Sequence, residues 1–207
     1  KNHKEKQGVQ VKIIDCVQNS PEWFTARLGI PTASGFDKII TTKGEPSKQR
    51  TKYLWQLAGE KVAGKAEESY QSAAMVRGSE IQEEARKLYE LTTDEEVIQV
   101  GFCLSEGGYG ASPDSLVGKN GGLEIKCPLA STHVGYLLEG TLPMDYFQQV
   151  QGNLLVTERE WWIFESYYPG IKPFILKVGR DEKFLKALKV ELEIFVDELK
   201  QTIERIR

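Results

Sequence analysis

Five residues in the middle of the chain, Gly118-Lys119-Asn120-Gly121-Gly122, constrain its fold more than any other stretch. Three of the five are glycines, and runs of strand composition lie on either side, over 109–117 and 122–127. Such a run–turn–run pattern predicts an antiparallel hairpin. If the hairpin is symmetric about residue 119, Asp114 on one strand faces Glu124 on the other. Directly opposed residues have Cβ atoms about 4.5–5.5 Å apart. Two carboxylates that close repel unless a cation lies between them, and hard oxygen ligands select Mg²⁺ or Mn²⁺. Glu124 and Lys126 are two apart and share a strand face, while Leu123, Ile125 and Cys127 turn to the other face, toward a core.

Two acids and an amine on one sheet face suit phosphodiester hydrolysis. A metal held there polarises the phosphate and lowers the pKa of a bound water, and a second metal can stabilise the leaving oxygen. A lysine can orient or deprotonate that water and offset developing charge. An acid-x-Lys triplet is by itself common and usually no more than a surface salt bridge. The Ser112-Pro113-Asp114 triplet upstream, the hairpin spacing and the trailing Cys127-Pro128 set this one apart.

The rest of the chain reads as one domain over 1–207, with 1–10 as a disordered tail. Ser20-Pro21-Glu22 places an N-cap, a first-turn proline and an acid at the start of a helix to Leu28. Further helices are expected over 32–40, 48–63, 72–91, 143–157 and 181–206, the last apolar at Phe184, Leu185, Leu188, Leu192, Phe195, Val196, Leu199 and Ile203. Residues 41–47, which include Lys43, read as a flexible basic loop. Strands are expected over 96–104, 109–117 and 122–127, and a second hairpin joins 161–168 to 172–178 across Pro169-Gly170. The aromatic run 161–168 is read as core rather than as a base-stacking platform. This order predicts an α/β (α+β-like) fold with a mixed central sheet flanked by helices.

Composition excludes several classes. No run approaches 18 apolar residues, so no membrane span is expected, and the polar start shows no signal peptide. The missing initiator Met suggests absent leading residues. Three scattered cysteines, Cys16, Cys103 and Cys127, fit a reducing cytoplasm, and the two histidines, His3 and His133, cannot build a zinc site; His133 is expected at the surface. The net charge is −3, yet residues 1–52 hold ten Lys/Arg against five Asp/Glu while the remainder holds seventeen against twenty-five. That split suits a protein gripping phosphate in one region and metal in another.

The segment SPDSLVGKNGGLEIKCP resembles the core of the PD-(D/E)xK, restriction-endonuclease-like nuclease superfamily, and within it the phage lambda exonuclease, YqaJ-type viral recombinase family. The order of further segments is similar too: Arg27-Leu28-Gly29 with Thr32-Ala33-Ser34 and Trp23 upstream, Arg77-Gly78 with Ala85-Arg86, and Gln149-Val150-Gln151. By this resemblance Asp114, Glu124 and the Ile125 carbonyl would bind Mg²⁺, with Mn²⁺ able to substitute and two ions per site. Lys126 would be the catalytic lysine and Gln151 would sit near the reacting phosphate. Arg27 and Ser34, with Thr32 beside them, would hold a 5′-terminal phosphate, and Lys43, Ser112 and Gln149 would line the DNA. Met75 would be an apolar wedge that parts the strands. The family's metal-site glutamate on the glycine-bearing helix is replaced here by Gln82, so Gln82, or Glu83 or Glu80 after a register shift, would complete the site.

The resemblance implies a 5′→3′ exonuclease on double-stranded DNA, leaving 3′ single-stranded tails for phage-type recombination. It further implies a homotrimer, a single-strand annealing protein as partner, and a cytoplasmic setting. A structure-selective or restriction-type endonuclease would use the same chemistry, and requirement for a DNA end separates the two. A non-catalytic DNA-binding scaffold is the third reading, against which the intact Asp114, Glu124 and Lys126 argue. An iron–sulfur nuclease would need four clustered cysteines.

Overall fold

The computed structural model describes residues 11–67 and 73–207. The expected N-terminal tail, with His3, lies outside the described residues, as does the side chain of Met75. In chain order the elements are β1 (Lys12–Ile14), α1 (Pro21–Arg27), α2 (Arg50–Ala63), α3 (Ala73–Thr93), β2 (Val97–Ile98), β3 (Phe102–Leu104), β4 (Gly110–Ala111) and β5 (Ser115–Val117). They continue with β6 (Gly121–Lys126), α4 (Ala130–Glu139), α5 (Phe147–Thr157), β7 (Trp161–Ser166), β8 (Phe174–Gly179) and α6 (Glu182–Ile206).

The sheet is mixed, as expected, but it is divided. A five-stranded sheet runs β2-β5-β6-β7-β8, with β6 and β7 parallel, and a three-stranded sheet runs β1-β3-β4. Each of the two long strands expected over 96–104 and 109–117 breaks in the middle and contributes to both sheets. The first breaks at Gly101, where a Cβ would come within 2.3 Å of the Cys16 carbonyl. The second breaks at Ser112-Pro113-Asp114, since Pro113 has no N–H to donate to a ladder. Asp114 therefore sits at the point where the chain leaves one sheet for the other.

Three apolar clusters hold the layers together. α2 and α6 pack with residues 33–40 into one, through Phe36, Leu57, Leu188 and Phe195. α3 covers one face of the five-stranded sheet through Ala85 and Tyr89 on Val117, Leu123 and Ile125. α5 covers the other through Val150 and Leu154 on Leu116, Trp162 and Phe164. The aromatic strand is thus core: Trp162 and Phe164 are wholly buried. Gly121 and Gly122 are demanded by the packing, because a Cβ on either would enter the ring of Trp161 or Trp162.

Other expectations are corrected. Residues 33–38 form a 3₁₀ turn, not an α-helix, with no side-chain cap at Thr32. The 41–47 segment is a closed turn, fastened by Thr41 N–H to the Glu45 carbonyl (2.7 Å) and Ser47 N–H to the Ile39 carbonyl (2.8 Å), with Lys43 exposed on it. α4 and β1 had no clear sequence signal. His133 is not at the surface: it is wholly buried on α4, its ring nitrogens 2.7 Å from Ser166 Oγ and 3.0 Å from the Lys172 carbonyl. Among the described residues no helix is long and apolar enough to cross a membrane.

Candidate active site

The hairpin register is the symmetric one. Ser115 pairs with Leu123 and Val117 with Gly121, so the ladder extended by one step brings Asp114 opposite Glu124. Because β5 begins only at Ser115, the edge of β6 at Ile125 is left without a strand. The Asp114 side chain takes that place, its Oδ2 accepting from the Ile125 N–H at 2.6 Å. In an antiparallel ladder the N–H and C=O of one residue face the same neighbour. The Ile125 carbonyl therefore shares the open edge with Asp114.

Helix α3 reaches the same point. Gly78 lets it approach the end of β6, since a Cβ there would lie 3.1 Å from the Cys127 carbonyl, and Arg77 Nη2 donates to the Pro128 carbonyl at 2.6 Å. One helical turn further on, Gln82 Nε2 donates to Asp114 Oδ1 at 2.6 Å. Of Gln82, Glu83 and Glu80, it is Gln82 that reaches Asp114. Glu83 is instead tied to Arg86 at 2.6 Å and Lys87 at 3.3 Å, on the rim of the cleft, and Glu80 is exposed.

Helix α5 approaches from the opposite face. Glu124, 3% exposed, accepts from Lys126 Nζ (2.6 Å) and Gln149 Nε2 (2.6 Å) on Oε1, and from Asn153 Nδ2 (3.0 Å) on Oε2. Gln149 also accepts from Lys126 at 3.3 Å, and the Lys126 ammonium stands 4.9 Å from the centre of the Tyr146 ring. Gln151 is not at the site. Two residues along a helix is about 200° of rotation, so Gln149 and Gln151 cannot share a face. Gln151 is buried on the far side, donating to the Gly179 carbonyl and accepting from the Asp181 N–H, both at 2.9 Å. It joins α5 to the start of α6. The residues missed in the sequence are Asn153 and Tyr146; the spacing 149, 153 was the available signal for the first.

A cleft of about 490 Å³ opens on Asp114 and Ile125, walled by residues 15–19, 99–101 and by Gln82, Glu83 and Arg86. Among the described residues no three His, Cys, Asp or Glu side chains gather as a metal-binding group. What gathers at the open edge is two carboxylates and a backbone carbonyl, all hard oxygen donors, with the Gln82 amide nitrogen donating to Asp114. Mg²⁺ is commonly held by one or two carboxylates, with waters and substrate phosphates completing its shell, so the donor set fits. Burial and the nearby Glu124 push the Asp114 carboxyl up to about 7. Burial alone would lower the Lys126 ammonium, but Glu124 and Asp114 reverse this and hold it above its usual range. A proton on Asp114 competes with a cation. Were Asp114 to hold a divalent cation, the affinity measured by Mn²⁺ titration without DNA would rise up to about tenfold per pH unit below 7 and level off above it.

A second polar cluster adjoins the first through Ser112. Arg27, at the end of α1, is partly buried and stacks 4.0 Å from the centre of the Trp23 ring. Its Nη1 donates to Ser112 Oγ at 2.8 Å and its Nη2 to Thr32 Oγ1 at 3.3 Å, and Thr32 Oγ1 lies 3.3 Å from Ser34 Oγ. The Trp23 indole N–H also reaches Ser112 Oγ, at 2.9 Å. Burial pushes the Arg27 guanidinium down to about 10, so it remains charged at neutral pH, and it has no ion pair among the described residues. The helix N-terminus expected at Ser34 is only the 3₁₀ turn, so the cluster consists of Arg27 and hydroxyls.

The hairpin thus carries two carboxylates with a lysine beside them, and a charged arginine lies among hydroxyls close by. The chain belongs to the YqaJ-like viral recombinase domain family, whose model matches residues 22–160. Its fold is that of LHK-Exo, an alkaline exonuclease from Laribacter hongkongensis, at 34% identity and a TM-score of 0.81 over 90% of this chain and 96% of that one. The same enzyme in complex with dAMP aligns at 35% identity and 0.82, with the same coverage. A phage-related exonuclease from Haemophilus somnus 129PT shares the fold at 13% identity, with a TM-score of 0.68 over 86% of this chain and 96% of that one. Among curated proteins no relative matches.

Proposed function

We propose that the chain is a Mg²⁺-dependent 5′→3′ exonuclease that digests double-stranded DNA from its ends and leaves 3′ single-stranded tails for recombination. The observation that carries this reading is the short segment Ser112-Pro113-Asp114, which belongs to both clusters at once: Ser112 to Arg27 and Asp114 to the Ile125 edge. Arg27, Thr32, Ser34 and Ser112 bind the terminal phosphate. Two residues on, Asp114, Glu124 and the Ile125 carbonyl, with Gln82 against Asp114, would hold the metal, in one or two ions. When bound, the metal polarises the scissile phosphate and lowers the pKa of a coordinated water. Lys126, kept charged by its carboxylate neighbours, offsets the charge that develops on the phosphate and orients the attacking water. Pro113 fixes φ between the clusters and so stiffens the spacing from end phosphate to cleaved bond.

An exonuclease must prefer an end to the duplex interior. A terminal phosphate carries close to two negative charges and an internal diester one. A guanidinium with hydroxyl neighbours and no ion pair among the described residues favours the former. Arg27→Ala is therefore expected to lose the preference for 5′-phosphorylated over 5′-hydroxyl ends, by about 1–3 kcal/mol, while cleavage itself persists. Digestion of matched linear duplexes measures it. Equal wild-type rates on both ends, initiation from 3′ ends, or degradation of a covalently closed plasmid would assign the site to an endonuclease or to another polarity.

A homotrimeric ring and an annealing protein as partner follow from the family resemblance, and the split between a basic N-terminal quarter and an acidic body suits a ring. Light scattering at micromolar concentration is expected to give about three times the chain mass of 23.4 kDa. A monomer both free and on DNA would remove the ring.

A further inference from the structure

The Glu124 carboxylate is more tightly held than the other acid of the site. An ionised carboxylate offers about four lone-pair positions, two on each oxygen. Lys126 and Gln149 occupy both on Oε1, and Asn153 occupies one on Oε2. Among the described residues one position remains, on Oε2, beside the Asn153 amide. We infer that Asn153 is a positioning residue for Glu124: its buried amide fixes the rotation of the carboxylate so that this single lone pair, and no other, is offered to the metal. The inference rests on the reading of Asp114 and Glu124 as metal ligands.

The surrounding structure gives the amide that authority. The terminal torsion of glutamate is broad and roughly two-fold, so a carboxylate without side contacts turns readily. Here it is 3% exposed and cannot exchange a lost partner for bulk water. Asn153 is itself 1% exposed, on the inner face of α5 one turn after Gln149, with its backbone carbonyl accepting from Thr157 Oγ1 at 2.7 Å. The two amides therefore reach the two carboxylate oxygens from one rigid helix. Gln149 hydrogen-bonds with both Glu124 and Lys126 and is part of the site proper, whereas among the described residues the Asn153 side chain hydrogen-bonds to the carboxylate alone. Outer partners of metal ligands commonly tune affinity by about 10–100-fold.

Replacement by leucine keeps the volume and removes the donor, replacement by serine keeps a shorter donor, and replacement by alanine removes it. Mn²⁺ binding to the full chain without DNA, followed by calorimetry, is the readout, with a thermal melt as control. Asn153→Leu is expected to bind Mn²⁺ about 10–100-fold more weakly than wild type while staying folded. Asn153→Ser should lie clearly closer to wild type than Asn153→Ala. A role in packing alone would lower the melting temperature of all three and leave the affinity of the folded protein unchanged. Wild-type affinity in Asn153→Leu overturns the inference; if that variant does not fold, equal affinity of the serine and alanine variants overturns it. Glu124→Gln run in parallel separates the two levels: unchanged Mn²⁺ binding there would overturn the metal-site reading itself.

Discussion

Replacing Asp114, Glu124 or Lys126 by alanine, one at a time, is expected to lower DNA cleavage on the order of 10³-fold or more while the fold survives. The three side chains make different contributions to one step, so none can cover for another. Asp114 is tied to the open Ile125 edge, Glu124 is gripped by α5, and Lys126 is the ammonium between Glu124 and the Tyr146 ring. The fold should tolerate each loss, because the apolar faces of β6 and β7 carry the packing. Circular dichroism and a thermal melt check the fold, and product formation from linear duplex checks the chemistry. Asp114→Ala with near wild-type activity would remove the basis of the assignment. Leaving Glu124 without its lysine strands a buried charge, so Lys126→Ala is also expected to shift the melt, whereas Lys126→Gln, which can still donate, should not.

The second large effect is on stability, at Glu165. This residue lies on β7 beside Ile125, wholly buried, and neither carboxyl oxygen has a hydrogen-bond partner among the described residues. Burial, with a smaller contribution from Asp114, pushes its carboxyl up to about 8. The unfolded chain ionises it near its ordinary value of 4.5. Between those two values the native state binds a proton that the unfolded state has released, so stability falls as pH rises from about 4.5 to about 8 and is flat above. The loss over that window is on the order of several kcal/mol. Glu165→Leu, of similar size and without the carboxyl, should therefore raise the melting temperature, and by more at pH 8.5 than at pH 5.5. At about 2–4 °C per kcal/mol for a chain of this length the difference is well within the range of a melt. If the substitution destabilises the protein equally at both pH values, Glu165 has a partner that opposes its desolvation.

The hairpin was legible because its information is local. A glycine-rich turn and period-2 alternation specify a register without reference to the rest of the chain, and Asp114, Glu124 and Lys126 follow from that register. The same holds for α1 with its Ser20 cap, for the β7–β8 hairpin across Pro169-Gly170, and for α6 with its long apolar stripe. Arg27, Thr32, Ser34 and Ser112 were recognisable by resemblance, but that they touch is a tertiary fact, since Ser112 lies 85 residues from Arg27.

What only the tertiary structure decided is which groups turn toward the site. Gln149 and Gln151 differ by two positions and look equivalent in sequence, yet α5 presents one to Glu124 and commits the other to the start of α6. Gln82 rather than Glu83 meets Asp114 because α3 approaches β6 at Gly78, and that approach sets the helix rotation. The break of two expected strands into two sheets, the burial of His133 and the stranded carboxyl of Glu165 have the same origin. Periodicity states which residues share a face, and only the packing of one element on another states what that face meets.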